Sequence, residues 1–234
     1  LFGVAGVAVA GAMLLDMLML SNGLQTSFAD LLRSAGYDVR VVPAGSLPLE
    51  TEATIRDAAA LLAELRDDPG VTGVAPVLAA NLSMHGETER SVFALGVDPT
   101  EQGVFRVLSG RPPGPGEVLL GEAAPAGDAG PGDGLRIAAF GPLGPAGGGA
   151  ARRLRVSGTA EFLYISESET PVALELRTLQ ELTGRPDQLS FVMVAAAPGV
   201  DPDDLAARLA VRHPELRIVS IGELVEQAER RLSY

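Results

Sequence analysis

The sequence predicts an α+β fold, in which a split βαβ subdomain carries a β-rich inserted subdomain and follows a transmembrane helix. Three features of the 234-residue chain lead to this class: an almost uncharged opening segment, a strand–helix–strand pattern that occurs twice, and a middle region of short strands rich in Gly and Pro. The predicted segments are a transmembrane helix over 1–22, the first half of the βαβ subdomain over 23–103, the β-rich inserted subdomain over 104–188, the second half of the βαβ subdomain over 189–219, and a helix leading toward a second membrane span over 220–234.

The opening segment sets the expected location. Residues 1–20 contain one charged side chain, Asp16, and as a helix they span about 30 Å, the thickness of a hydrocarbon core. A cleaved signal peptide, with small residues at 8–10, and a buried core helix stay open as alternatives. We favour a transmembrane helix because the apolar run continues through Leu20, which a cleaved signal would not need. Because the sequence starts at Leu1, we also expect it to be part of a longer gene product.

The first βαβ half begins with alternation of apolar and polar residues over 37–42, which predicts a strand. Ile55, Ala58, Leu62 and Leu65 then follow at spacings of three and four, which predicts a helix over 51–66 with one apolar stripe. Two further strands are predicted over 71–84 and 90–97, joined by a turn at 85–87.

The middle of the chain predicts short strands and one weak helix. The expected strands cover 117–120, 135–140, 154–162 and 172–176. The helix is expected over 178–183, with Gly184 just past its end. Residues 141–150 contain five Gly and two Pro and are expected to form a loop or hairpin tip.

The second βαβ half repeats the strand–helix–strand order, with strands expected over 189–195 and 216–219. Asp201 is the expected N-cap of the helix between them, Pro202 occupies the first position, and Leu205, Leu209 and Val211 are its apolar side chains. Ser220 and Glu223 then fit a capping box that opens the last helix. That helix has no Gly or Pro stop before Tyr234, so we expect the natural chain to continue, into another membrane span.

Composition excludes several kinds of chemistry. The 30 acidic and 18 basic residues give a net charge of −12, which repels phosphate backbones and argues against nucleic-acid binding. Cysteine is absent, which excludes disulfides and thiol nucleophiles. With only two histidines, His85 and His213, a multi-histidine metal site is also disfavoured.

The remaining candidate sites each have a plainer structural explanation. The glycine-rich stretches 130–134 and 144–150 lack the lysine of a P-loop, because the chain contains no lysine. The acidic groups Glu167/Glu169, Asp67/Asp68 and Asp201/Asp203/Asp204 are interpreted as solvated surface, the last set as a helix start. No G-x-S-x-G elbow is present to support a serine hydrolase. We therefore predict no catalytic, cofactor-binding or metal-binding residue.

Arg152, Arg153 and Arg155 form the one basic cluster of the sequence. Alternation along a strand places Arg153 and Arg155 on the same face. Binding of an acidic partner is one interpretation, and an edge strand protected by charge is the favoured one.

Three stretches of the sequence together resemble a known family. They are 24–28 (LQTSF) directly after the apolar segment, the strings 108–111 (LSGR), 116–121 (GEVLLG) and 132–137 (GDGLRI), and the strand–helix–strand that runs into the last helix. This pattern resembles the MacB-like periplasmic core domain of ABC transporter permeases, a group that includes FtsX-like and LolC/LolE-like proteins. The stretch between Gly121 and Gly132 departs from the family, because it is rich in Ala, Gly and Pro where the family has a clearer short helix.

The resemblance implies a function. It implies a porter-like βαβ subdomain outside the cytoplasmic membrane, in a non-catalytic permease subunit that pairs with a second permease protomer and with an ABC ATPase subunit. ATP-driven motion of that separate ATPase would be coupled to substrate export or to mechanical signalling, with membrane lipid around the spanning helices.

Two other functions stay open. A single-pass membrane-anchored binding or adaptor module would not need a second span, and a hydrophobic stretch of about twenty residues beyond Tyr234 would argue against it. An extracytoplasmic enzyme is the least supported, since no constellation of side chains favours it.

Overall fold

The computed structural model describes residues 36–45, 53–85, 89–122, 131–139, 151–162 and 170–224. Within these residues the chain forms ten strands and three helices, followed by the first helical turn of another helix at 221–224. In chain order the elements are β1 (Val39–Pro43), α1 (Ala58–Asp67), β2 (Val71–His85), β3 (Glu89–Val97), β4 (Phe105–Gly110), β5 (Glu117–Gly121), β6 (Gly134–Ala139), β7 (Arg152–Phe162), β8 (Pro171–Glu175), α2 (Leu176–Thr183), β9 (Phe191–Ala196), α3 (Pro202–Arg212) and β10 (Leu216–Ser220).

Four strands in the order β10–β1–β9–β2 form a sheet in which all neighbours are antiparallel. The unit β1–α1–β2 has β9 between its strands, and the unit β9–α3–β10 has β1 between its strands, so each crossover is split by a strand of the other. Helices α1 and α3 pack on one face, where Leu65, Leu205 and Leu209 are fully buried against Val41 and Val192. We call this part, with residues 71–77 of β2, the split-sheet module.

Six strands close into a ring in the order β2–β3–β8–β5–β7–β6, and β6 pairs back to β2. The interior of the ring is filled by apolar side chains, among them Leu82, Leu120, Ile137, Leu154 and Leu174. Helix α2 adds Leu179 and Leu182 to the same cluster, and β4 extends the sheet outward from β7. In this closed arrangement, here called the barrel module, each of the six strands has a partner on both sides over part of its length.

Strand β2 belongs to both modules. Residues 71–77 pair with β9, residues 77–85 pair with β3, and residues 82–85 also pair with β6. Because one continuous strand of 15 residues crosses the junction, the two modules are joined by sheet hydrogen bonds rather than by a flexible linker.

Two glycines allow β4 to approach β7. Gly110 lies opposite Gly158, and a Cβ on Gly158 would overlap the carbonyl oxygen of Ser109. Gly110 also has φ of 77°, a conformation that residues with a Cβ rarely adopt. The pairing therefore requires glycine at both positions.

The mixed α+β class predicted from the sequence is confirmed, and the predicted strands and helices within the described residues mostly coincide with observed ones. One correction concerns α1, which starts at Ala58 rather than at 51, because Ile55 exchanges two backbone hydrogen bonds with Leu189 and is extended. Val211 is a second correction, since its side chain is 83% exposed instead of packed.

Strand β4 was not predicted from the sequence. The segments predicted as a transmembrane helix (1–22) and as most of the last helix (225–234) lie outside the described residues. None of the helices in the described part of the chain has both the length and the hydrophobicity of a membrane span.

Candidate functional site

The two ends of the described chain meet at one edge of the split-sheet module. The Ile221 amide donates to the Asp38 carbonyl oxygen over 2.8 Å, and Val39 lies opposite Ser220 in the pairing of β1 with β10. The Asp38 amide donates to the Val194 carbonyl over 2.9 Å, and its carboxylate accepts from the Ala196 amide over 2.9 Å. We call this region, residues 36–38 and 220–224, the terminal edge.

The helical turn at the terminal edge is capped and packed. The Ser220 hydroxyl accepts from the Glu223 amide over 3.0 Å, which confirms the serine half of the predicted capping box. Ile221 is buried with Tyr37, Ala75 and Met193, and Leu224 packs against the same cluster. The last turn is therefore held on the sheet by apolar contacts as well as by hydrogen bonds.

The sheet face opposite α1 and α3 contains an arginine in an apolar setting. The Arg40 guanidinium lies over the Phe191 ring, 4.8 Å from its centroid. Burial lowers the pKa of Arg40, and repulsion by Arg217 lowers it further. On the same face, burial raises the pKa of the Tyr37 hydroxyl, with a smaller contribution from the negative charges of Glu101 and Asp98.

Helices α1 and α3 are joined by an ion-pair cluster centred on Asp68. Its carboxylate accepts from Arg208 at 2.9 Å, from Arg212 at 2.5 Å and from the Gly70 amide at 2.8 Å. Burial alone would raise the pKa of Asp68, but the Gly70 amide and the two guanidinium groups outweigh it, and the pKa lies below its ordinary value. The interpretation of Asp68 as solvated surface is wrong, because its side chain is only 5% exposed.

The two histidines lie in different parts of the fold. His213 follows the last residue of α3, as predicted, and its ring nitrogens lie 3.2 Å from Glu64 and 3.5 Å from Glu215. His85 ends β2 in the barrel module, so the fold does not bring the two histidines together. The described residues contain no group of three or more His, Asp or Glu side chains able to hold a metal ion.

The predicted arginine cluster lies at the start of β7. Residues 152–155 pair with β6 on one side, and β5 pairs with β7 on the other side only from Arg155 onward, so Arg152 and Arg153 lie where β7 has one strand partner and Arg155 lies between two strands. Arg153 and Arg155 are exposed on one face, as the alternation predicted, while Leu154 points into the barrel core. Arg152 pairs with Glu181 at 2.7 Å, and this hydrogen bond lowers the pKa of Glu181.

The other sequence candidates have local structural roles or lie outside the described residues. The Asp201 carboxylate accepts from the amides of Asp203 and Asp204 at 2.8 and 3.3 Å, which confirms it as the N-cap of α3. Gly132 has φ of 100° and occupies a turn before β6. Glu167, Glu169 and residues 144–150 lie outside the described residues.

A cap that sequence reasoning missed joins the two modules. Asp187 follows α2, and its carboxylate accepts from the Ala59 amide over 2.7 Å at the start of α1. Thr54 and Gln188 add a side-chain hydrogen bond of 2.6 Å beside it. The partner of Asp187 is 128 residues away in sequence, so no local pattern indicates this role.

Comparison with known proteins identifies relatives of the whole arrangement. A family model described as the MacB-like periplasmic core domain matches residues 3–211. The periplasmic region of MacB from Actinobacillus actinomycetemcomitans is similar with a TM-score of 0.59 at 14% identity, over 85% of this chain and 95% of that one. The extracellular domain of the noncanonic ABC-type transporter YknZ from Gram-positive bacteria is similar with a TM-score of 0.52 at 13% identity, over 78% and 98%. No curated protein matches the chain.

Proposed function

The chain belongs to the family of MacB-like periplasmic core domains, and on that premise we propose that it couples ATP-driven motion of a separate ATPase to export or to mechanical signalling across a membrane. In this proposal it is the extracytoplasmic domain of a non-catalytic ABC transporter permease subunit. Its partners are an ABC ATPase subunit, a second permease protomer and the lipid around its spanning helices. These 234 residues contain no lysine and hence no P-loop lysine, so in this proposal ATP is hydrolysed outside them.

The terminal edge is the observation that carries the proposal. The strand that follows the first end of the domain and the helix that leaves the last end are directly hydrogen-bonded, through Asp38 and Ile221. Two spanning helices attached there would emerge side by side. A displacement of either helix in the membrane would then act on adjacent strands, β1 and β10, rather than on a loop.

A continuous path leads from this edge to the far end of the domain. Five register pairs join β10 to β1, three join β1 to β9, and six join β9 to β2. Strand β2 then continues into the barrel module without a break. Sheet pairing and the Asp68 cluster stiffen this path, which supports transmission of a movement over a long distance.

The proposed function also assigns each segment of the chain either to the membrane or to the external domain. We propose membrane-spanning character for 1–22 and for the continuation of 220–234, with 23–103, 104–188 and 189–219 as the segments of the external domain. The strand pairing adds that β2 and β3, from 23–103, complete a barrel with four strands from 104–188.

Cysteine labelling in intact cells tests the location. Val211 is 83% exposed and the chain has no cysteine, so Val211→Cys offers one accessible thiol. We expect a membrane-impermeant maleimide to label it in whole cells. Val194→Cys, at a fully buried position, is the matched control and should label only after denaturation. Labelling of Val211→Cys only after the cells are permeabilised would contradict the proposal.

Coupling is tested in the complete permease reconstituted with its ATPase. Spin labels on Val211→Cys of two protomers should report a distance that changes on ATP binding. A flexible Gly-Ser insertion between Ser220 and Ile221, which removes the Ile221–Asp38 hydrogen bond, should abolish this change while ATP hydrolysis continues. The same insertion in the exposed turn at 198–199 is the control and should preserve it. An unchanged response in the first variant, or none in the parent, would favour an anchored binding module instead.

A further inference from the structure

Three arginines lie together on the outer face of the barrel module. Arg136 on β6 lies directly opposite Arg153 on β7, and Arg155 is two residues further along the same face. All three residues are exposed. We call Arg136, Arg153 and Arg155 the arginine cluster.

These guanidinium groups have no carboxylate partner among the described residues, whereas several other arginines do. Arg106, Arg111 and Arg152 each form an ion pair with a glutamate. For Arg136, Arg153 and Arg155, no ion pair is found with the part of the chain that the structure describes. Glu117 lies opposite Arg155 in the pairing of β5 with β7, but its carboxylate is engaged by Arg111 at 2.6 Å and by the Gly114 amide at 3.0 Å.

This arrangement is unfavourable for the isolated domain. Side chains directly opposite on antiparallel strands have Cβ atoms about 5 Å apart, and like charges there destabilise the pair. The chain has a net charge of −12, so an acidic partner would have been easy to supply from within. A cluster of cations that forms no ion pair with the described residues of so acidic a protein points to a negative group that comes from outside.

The surroundings of the cluster are open to such a group. Arg153 and Arg155 line a surface cleft of about 420 Å³ together with Gly116, Gly132 and Gly134. The Arg153 guanidinium lies across Gly134, at a place where a Cβ would collide with it. Because the glycines have no side chains, an extended segment can lie close to the backbone and reach both arginines.

We propose that the arginine cluster binds an acidic, extended segment of another extracytoplasmic protein. Arg153 and Arg155 are separated by about 7 Å along the strand, which equals the spacing of alternate side chains in an extended peptide. Carboxylates at alternate positions can therefore pair with both, while Arg136 reaches the first from the neighbouring strand. Arginine suits this role, because its planar guanidinium binds a carboxylate through two hydrogen bonds.

The position of the cluster favours a protein over a lipid headgroup. Strand β2 starts opposite Ala196, next to the terminal edge, and ends at His85, which lies opposite Arg136. Its 15 residues place the cluster roughly 45 Å from that edge along the strand. If the membrane lies at the terminal edge, its headgroups are out of reach. This choice of source rests on the function proposed above, whereas the cluster itself does not.

The test uses the full chain in detergent and a labelled (Glu-Thr)6 peptide, followed by fluorescence anisotropy. We expect binding that weakens steeply as salt rises from about 50 to 300 mM, since exposed charges are screened. The peptide (Gln-Thr)6, with the same length and no charge, should not bind. Arg136→Ala/Arg153→Ala/Arg155→Ala should lower affinity at least about tenfold, as expected for the loss of several charge-assisted hydrogen bonds. Arg56→Ala/Arg106→Ala/Arg177→Ala removes equal charge from exposed sites elsewhere and should keep the affinity of the parent.

A second variant separates binding from stability. Arg136→Glu places a carboxylate opposite Arg153, so it should raise Tm by about 1–3 °C while it abolishes peptide binding. Equal loss of binding in both triple variants would overturn the proposal. So would tighter arginine-dependent binding to phosphatidylglycerol vesicles than to the peptide. Either failure leaves the cysteine labelling at Val211 unaffected, so the two proposals fail separately.

Discussion

The split-sheet module and the barrel module solve the same problem, the burial of one sheet face, in different ways. In the split-sheet module two amphipathic helices cover the sheet, and Asp68 with Arg208 and Arg212 joins the helices to each other. In the barrel module the sheet closes on itself and fills its interior with its own side chains, with α2 packed against that core. The first module therefore depends on contacts between helices, and the second depends on ring closure.

This difference fits the proposed division of work. The split-sheet module contains the terminal edge, where membrane helices would attach. Its strands β10, β1 and β9 connect that edge to β2 by sheet pairing. The barrel module lies at the far end of β2 and carries the arginine cluster on its outer face. A rigid closed barrel is well suited to present a binding surface at a distance from the membrane.

The largest expected loss of stability comes from a substitution in the core of the barrel module. Leu82 is fully buried on β2, where that strand pairs with β3 on one side and β6 on the other. Leu82→Ala should lower the free energy of unfolding by about 3–4 kcal/mol, through lost burial and a residual cavity. Urea unfolding followed by circular dichroism measures this. Leu108→Ala, at a 44% exposed position on β4 outside the ring, should cost less than about 1 kcal/mol. Equal losses would mean that ring closure is not the critical feature.

The next largest loss of stability comes from removing the ion pairs that join the helices of the split-sheet module. Asp68→Ala should cost about 2 kcal/mol at pH 7, less than a fully buried pair, because Arg208 and Arg212 remain 48% and 39% exposed. Asp67→Ala removes an exposed neighbouring carboxylate and should have little effect.

The pH dependence of the same variant follows from the lowered pKa of Asp68. A depressed pKa in the folded state contributes stability that is fully present above the unfolded value of about 3.9. That contribution is lost as the pH falls through the folded pKa. The difference between the parent and Asp68→Ala should therefore be constant from neutral pH to about pH 5 and shrink below about pH 4. A difference that grew on acidification would contradict the assignment.

The last comparison, with losses of about 2 kcal/mol or less in the free energy of unfolding, sets a remote cap against a local one. Asp187→Ala should cost about 2 kcal/mol, because it removes the cap of α1 and places Ala at φ of 54°. Asp187→Asn keeps a capping oxygen and tolerates this φ, so it should recover most of the loss. Asp201→Ala removes only the local cap of α3 and should cost about 1 kcal/mol. The measurement is again urea unfolding, and a harmless Asp187→Ala would show that α1 needs no help from the barrel side.

Features that depend on residues close together in the sequence were predicted correctly. The cap of α3 at Asp201, the end of α2 at Gly184 and the hairpin of β2 with β3 were predictable, since each depends on neighbours within a few residues. The start of α1 was not, because Leu189, far away in sequence, holds Ile55 in an extended conformation. Strand β4 was missed because Leu108 lies at a bulge and its short run is mostly exposed, which weakens the alternation.

The arginine cluster and the Asp68 ion pairs show the same difference between local and long-range features. The face shared by Arg153 and Arg155 was predicted from strand alternation alone, whereas Arg136 joined them only through the pairing of β6 with β7. Asp68 was misjudged because nothing near it in sequence indicates that α3 will bring Arg208 and Arg212 to its carboxylate.

By itself the sequence determined the α+β class, most of the strands and the family resemblance. Tertiary structure decided which strands are neighbours, that six of them close into a barrel, and that both ends of the domain meet at Asp38 and Ile221. The physical reason is the separation in sequence over which each kind of interaction acts. Alternation, helical stripes and caps act over a few residues, but the pairing of distant strands depends on burial of apolar faces that form only when the whole chain has folded.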